Sequence, residues 1–331
     1  MTLLYSPDED DLRSAVRSLL ADRASSSAVL ARVESAQPYD LDLWKTLAQE
    51  IGVAGLLVPE EYGGAGATAR EAGVVMEELG RAVAPVPFFT SSVLATKALL
   101  DAGAGEELER LAAGEVTAAL LVPLAASPYK ILTEGLVAGA EAAEVHLRVE
   151  EGVLYRVEGA TVEVVPSLDL TRPVARVSGG ERVARLGEVD LGEILGFGAA
   201  LLASEQLGVA EWCLETTLAY VKQRYQFARP VGSFQAIKHR LADLWLDVVR
   251  ARAAARNAVA ELSPISTATA ASWNSSVAVH VAEEAVQLHG GIGMTWEHPV
   301  HLYLKRAKAD EIALGTPGDH REALAGLVGL D

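Results

Sequence analysis

The chain has 331 residues, half of them hydrophobic, which is enough for a sizeable core and fits two or three domains. Its 45 acidic and 28 basic residues leave a net charge of −17, which repels phosphate backbones and anionic lipid and argues against nucleic-acid or membrane binding. The single cysteine, Cys213, excludes an internal disulfide and a Cys-rich metal site. No run reaches the ~18 uncharged apolar residues of a membrane span. The acidic stretch from Met1 to Asp11 is unlike a signal peptide, so a soluble, cytoplasmic protein is expected.

Aromatic residues are few and alanine is abundant, a composition suited to helix-on-helix packing. The first zone, residues 1–112, reads helical. Ser6-Pro7-Asp8-Glu9 carries a capping box with proline at the first helical position, and Leu12, Val16 and Leu19-Leu20 follow at helical spacing. A second helix is expected from about Leu41 to Gln49, stopping near Gly52. The glycine-dense stretch Pro59 to Gly66 is a loop, and a longer helix runs from about Thr68 to Val83, with Gly73 and Gly80 as weak points. The pairs Glu60-Glu61 and Glu77-Glu78 read as solvated faces.

The second zone, residues 113–195, changes period. Val145, Leu147 and Val149 alternate with charged residues, and Val153, Tyr155 and Val157 do the same after Glu151-Gly152, which predicts a β-hairpin. Val162 and Val164 suggest a third strand. A small antiparallel sheet or barrel is expected. The third zone, residues 196–331, returns to helix at about 199–220, 238–262, 272–288, 301–313 and 321–328, and predicts a four-helix bundle. The fold class is therefore mainly α with a small β domain.

Three segments carry candidate chemistry. Arg224 to Gln235 places two guanidinium groups and two amides in one interhelical loop, suited to a phosphate pair and a purine edge, although a solvated loop also fits. Gln287-Leu288-His289-Gly290-Gly291 follows a helix, where glycines let backbone N–H groups approach an anion, or simply end the helix. His298 and His301 lack a third ligand, so no metal is expected.

Together these segments resemble the acyl-CoA dehydrogenase family over nearly the whole chain. Leu43-Trp44, the run Gly55 to Gly66, Glu77-Glu78-Leu79-Gly80-Arg81 and Pro85-Val86-Pro87 are similar to its helical domain. Arg224-x-x-Phe227-x-Arg229-Pro230-x-Gly232-Ser233-Phe234-Gln235 and Gln287-Leu288-His289-Gly290-Gly291-x-Gly293 are similar to its C-terminal signatures. The resemblance implies α,β-dehydrogenation of acyl-CoA thioesters, with FAD extended across a subunit interface and an electron-transfer flavoprotein-like acceptor. Arg224 and Gln226 would then contact the pyrophosphate, with Phe227 in the same loop. Phe234 and Gln235 would lie on the adenosine side, and the backbone of Gln287, Leu288, His289, Gly290 and Gly291 would face the same cofactor.

The catalytic pattern departs from the family. Leu314 stands where the usual glutamate precedes Gly-Thr, and Gly198 and Ala199 stand at the second position for a base and at that of a substrate-contacting arginine. Val122 to Ser127 retains nothing of the flavin-ring loop, and the only Thr-Glu, Thr133-Glu134, lacks the following proline. No catalytic residue is therefore assigned. The pattern is similar to short partner subunits of bacterial heteromeric acyl-CoA dehydrogenases acting on steroid side-chain thioesters, and implies an α2β2 assembly in which a full-length partner supplies the base. Two alternatives stay open: a homo-oligomeric enzyme with a relocated base, for which Glu311 and Asp310 are nearest, and a scaffold subunit without flavin.

Overall fold

The computed structural model describes residues 3–330; Met1, Thr2 and Asp331 lie outside them. The first helices are α1 (Pro7–Arg23), α2 (Ser26–Val33), α3 (Leu41–Lys45), α4 (Ala69–Ala82), α5 (Thr96–Ala102) and α6 (Gly105–Ala112). The expected capping box forms at α1: the Glu9 amide donates to Ser6 Oγ at 3.2 Å, and the Ser6 amide donates to Glu9 Oε2 at 2.6 Å. α3 widens into a π-type turn over Thr46–Ile51 and stops at Gly52, whose φ of 81° is left-handed.

Glu77 and Glu78 are not solvated: they are 1% and 2% exposed. Arg13 reaches both at 2.9 Å, Arg17 reaches Glu78 at 2.6 Å, and the Tyr5 hydroxyl donates to Glu77 at 2.5 Å. The cations lie on α1, some sixty residues upstream, so no local pattern reveals that these carboxylates are paired and buried. Burial, reinforced by Glu211, pushes the Glu77 carboxyl above its ordinary value.

Gly80 is a contact point rather than a weakness in α4. A Cβ there would lie 2.2 Å from the Glu205 carbonyl oxygen, and one on Gly208 would lie 2.0 Å from that of Glu77. Glycine at both positions lets α4 and α7 (Leu191–Gln223) cross backbone to backbone.

The middle strands are β1 (Ala118–Leu120), β2 (Val137–Ala138), β3 (Val145–Glu150), β4 (Val153–Val165) and β5 (Val174–Glu188). They form one sheet in the order β1-β3-β4-β5-β2. The β3–β4 hairpin is where the alternation places it. The sheet is mixed rather than wholly antiparallel, because β1 pairs β3 in parallel. Val162 and Val164 do not make a third strand: β4 continues through them and pairs with β5. β5 escapes the sequence pattern because most of it is exposed on both faces, so no dry-face period marks it.

Beyond the sheet come α7, a short pairing of β6 (Tyr225–Gln226) with β7 (Arg229–Pro230), α8 (Gln235–Glu261), α9 (Pro264–His289), α10 (Val300–Asp310) and α11 (Pro317–Leu327). α7 starts earlier than its apolar run, with Asp190 capping the amides of Gly192 and Glu193 at 2.7 and 3.2 Å. Glycines 192, 196 and 198 hide those first turns from a propensity reading. Among the described residues no helix is long and apolar enough to cross a membrane.

Sheet and bundle are locked together at the loop between β4 and β5. Arg172 of that loop reaches Glu205 of α7 at 2.5 Å and Asp310 of α10 at 2.6 Å. Arg306 of α10 returns to Asp169 of the loop at 2.5 Å, to Thr171 Oγ1 at 2.6 Å, and to Glu205. All five charged side chains are buried, with three carboxylates against two guanidiniums. Burial alone would raise the Asp169 carboxyl, but Arg306 and Arg172 hold it below its usual value. The surplus negative charge falls on Asp310, whose Oδ2 has no hydrogen-bond partner; burial and Glu205 push this carboxyl up to about 8 against the pull of Arg172.

Between the ordinary aspartate value and about pH 8, the folded protein therefore holds a proton on Asp310 that the unfolded chain has released. Stability is predicted to fall as pH rises through that window and to level off above it. Asp310→Asn should flatten this dependence, read as the free energy of denaturant unfolding between pH 5 and pH 9.

Candidate functional site

The hairpin that follows α7 turns at Phe227 and Ala228, whose φ values of 54° and 60° are both left-handed, as a two-residue hairpin turn requires. The turn holds Phe227 out at 86% exposure. The Arg229 guanidinium stacks on the Phe234 ring at 3.8 Å, and Phe227 meets the same ring edge-on at 6.2 Å. Arg229 is thus committed to the loop itself. Arg224, Gln226 and Gln235 are exposed, and Arg224 makes no ion pair with any described residue.

The glycine turn after α9 lies at the same end of the bundle, because Tyr220 near the end of α7 stacks on His289 at 4.5 Å. Gln287, Gly290 and Gly291 are exposed, and no atom lies within 4 Å of a Cβ built on either glycine. Gly290, at φ 64° and ψ −140°, adopts a backbone reserved for glycine. Leu288 and His289 behave differently: both side chains are buried. His289 Nδ1 donates to the Ala285 carbonyl at 2.7 Å, which leaves Nε2 as a buried lone pair without a partner. Burial lowers the affinity of this imidazole for a proton. Only the backbone of these two residues is available to a ligand. His298 lies 4.4 Å from His289 ring to ring, and among the described residues no group of three metal-ligating side chains forms.

The position at which the resemblance would place a base is closed. Leu314 is fully buried at φ 55°. Its amide donates to the Leu124 carbonyl at 2.8 Å, pinning the segment 122–127 against it. A Cβ on Gly198 would meet Leu94 Cδ2 at 2.4 Å and Leu314 Cδ1 at 2.8 Å. The remaining void, lined by Thr90, Leu94, Leu120, Val122, Leu124 and Leu314 among others, is about 10 Å³. That is room for one water at most, against several hundred Å³ for a ligand pocket.

Neither candidate carboxylate enters this void. Asp310 is held in the buried network, and Glu311 is one-third exposed with Lys308 at 3.6 Å. Sequence reasoning missed a polar strut under the closed position. His320, buried, holds the Leu314 carbonyl through Nε2 at 3.1 Å, and the Tyr129 hydroxyl meets Nδ1 at 3.2 Å. The carbonyl can only accept, so Nε2 carries the proton and Tyr129 donates to Nδ1.

This architecture, two helical domains with a small sheet between them and an exposed cationic, amide-bearing loop at the bundle end, is that of the flavin-linked acyl-CoA dehydrogenases. Models of the acyl-CoA dehydrogenase N-terminal and C-terminal domains match residues 6–115 and 189–327, and the chain belongs to this family of oxidoreductases. It is 39% identical over 319 residues to acyl-CoA dehydrogenase IpdE2 of Mycolicibacterium smegmatis, covering 96% of this chain and 98% of that protein. Among solved structures it is similar to a variant of the Tcur3481-Tcur3483 steroid ACAD, with a TM-score of 0.88 and 26% identity over 98% of each chain. It is also similar to the ChsE4-ChsE5 complex from Mycobacterium tuberculosis, with a TM-score of 0.86 and 25% identity over 100% of each chain.

Leu314→Glu tests the closure directly. A carboxylate forced into a void without a partner should destabilise the fold by ~3 kcal/mol or more and confer no dehydrogenase activity on the isolated chain, read by chemical denaturation and dye reduction.

Proposed function

We propose that this chain is the accessory subunit of a heteromeric, FAD-dependent acyl-CoA dehydrogenase, acting with a full-length partner that supplies the base. The carrying observation is the asymmetry between two halves of one cofactor site. At the bundle end, Arg224, Gln226, Gln235 and the glycine turn present unpaired donors to solvent, a set whose chemistry suits a diphosphate and an adenosine. At Leu314 the void of about 10 Å³ admits neither a flavin ring nor a thioester. The donor set fits half of FAD, and the plugged cleft does not fit the other half.

FAD, when bound, supplies the hydride acceptor for the β-hydrogen of the substrate. The role of this chain is positioning. Arg224 would neutralise pyrophosphate charge, Gln226 and Gln235 would orient the nucleotide, and the glycine backbone would allow close approach. Phe227 and the Arg229–Phe234 stack would exclude water from the seam. Proton abstraction is left to the partner, because among the described residues no carboxylate lines the Leu314 void. The substrate class is a steroid-derived acyl-CoA, a reading supported by the similarity to the steroid ACAD structure and by the family. One flavin per pair of unlike chains follows, with electrons passing to an electron-transfer flavoprotein-like acceptor.

The chain purified alone should be colourless, and co-expression with a full-length family subunit should give a yellow tetramer. A yellow isolated chain bleached by acyl-CoA would overturn this reading. In the complex, Arg224→Ala should lower bound flavin several-fold, measured as flavin absorbance per protein. Glu311→Gln should leave turnover unchanged, whereas a relocated base would make it inactive.

A further inference from the structure

Three histidines surround the glycine turn, and backbone partners hold each of them in its neutral form. His289, the last residue of α9, donates from Nδ1 to the Ala285 carbonyl, so its buried Nε2 is a lone pair. His301 of α10 donates from Nε2 to the Trp296 carbonyl at 3.2 Å, and its buried Nδ1 has no hydrogen-bond partner among the described residues. His298, between them in sequence, accepts the Val300 amide at Nδ1, 3.3 Å away. A carbonyl only accepts and an amide only donates, so the backbone fixes all three tautomers. A proton added to His289 or His301 creates a buried N–H with nothing to receive it.

The surroundings offer no compensation for that charge. His289 is 3% exposed and packs against the His298 ring and, from α7, the Tyr220 ring. From α10, Lys305 lies over the Trp296 ring at 4.3 Å, and His301 stacks on the same ring at 4.5 Å. Glu34 accepts the Trp296 indole N–H, and Glu284, five residues before His289 on α9, pairs with Arg240 of α8 at 2.6 Å. Glu297 is exposed, and among the described residues none of the three rings has a carboxylate ion-pair partner. Burial is the main pull on each imidazole; His289 and His301 add to it at His298, and Lys305 adds to it at His301, so all three titrate below the ordinary imidazole value. The turn is tied mechanically to this cluster. A Cβ on Gly293 would lie 2.9 Å from His289 Cβ and 2.7 Å from the Val286 carbonyl oxygen, so the chain folds back onto the last turn of α9. His289 cannot leave its stack with Tyr220 without displacing residues 290–293.

We infer that His289 and His298 form an acid-sensitive latch on the nucleotide half-site: the neutral pair keeps the glycine turn folded against α9, and proton uptake opens the turn and loosens the hold of this chain on the diphosphate of FAD. The inference rests on the accessory reading above. An opened turn takes up these protons near pH 6.5 and the closed turn only at lower pH, so closure is fully favoured above about pH 7 and is lost as pH falls through that range. Each proton bound only by the open turn raises the open fraction up to about tenfold per pH unit.

Hydrogen–deuterium exchange of the full chain, read by mass spectrometry and corrected for intrinsic exchange, tests the latch without a partner. Protection of residues 287–298 should fall at least ~10-fold between pH 7.5 and pH 5.5 while peptides of α4 keep theirs. In His289→Asn/His298→Asn, which carries no imidazole at either position, the fall should vanish; His298→Asn alone, at the less buried position, should make it shallower. In the complex with a full-length family subunit, flavin absorbance per protein should drop over the same range for the unaltered chain and hold for the double variant. Equal protection at both pH values overturns the inference, as does a fall of equal size in the double variant. Flavin retained at pH 5.5 by a complex whose turn has opened also overturns it. Acid opening of the isolated chain with no flavin in any complex supports the latch and overturns the accessory reading alone.

Discussion

Two guanidiniums buried among three carboxylates decide how the parts of this molecule sit together. Arg172 arrives from the β domain and Arg306 from the bundle, and each binds acids on the other side of the junction. Buried ion pairs of this kind add little net stability compared with apolar packing, yet leaving one member unpaired is costly. The loop between β4 and β5 therefore seats in one place only, and the sheet that it terminates is held to the helices. With the sheet fixed, segment 122–127 is pressed against Leu314, and the void left between them is only about 10 Å³.

The consequence is a contrast in packing between the two ends of the molecule. A flavoenzyme cleft is an interruption of the core, maintained by residues that hold its walls apart and by polar groups that would otherwise be unsatisfied. Here the walls carry leucine and valine, and they have met. At the far end of the bundle the opposite holds: the two non-glycine residues at positive φ and the glycine at ψ −140° are backbone conformations of the kind found where a surface must present groups outward. The chain is tightly packed around Leu314 and open at the hairpin and the glycine turn.

The helical domains and the β3–β4 hairpin were legible because their signals are local: a capping box at Ser6, apolar periodicity, alternation across Glu151-Gly152. The segments Arg224 to Gln235 and Gln287 to Gly293 stood out because arginine, glutamine and glycine fall at spacings that resemble the family's, and both lie within the C-terminal domain match. The interdomain network was not, because Asp169, Arg172, Glu205, Arg306 and Asp310 lie on three separated stretches and look like surface charges singly. Glu77 and Glu78 misled for the same reason, their cations lying on a different helix. β5 carried too little buried surface to show a period, and the lack of a carboxylate at position 314 is plain in the sequence, whereas the burial of Leu314 against Gly198 and Leu124 required the fold.

The uneven spread of charge has an effect before any contact is made. A body of net charge −17 with one cationic end behaves as a dipole in solution, and its field is felt over about a Debye length at physiological salt. Copies of the chain repel one another over most of their surface, which favours dispersal over aggregation. An acidic surface meeting such a molecule would be drawn toward the hairpin end and pushed away from the rest before any contact formed.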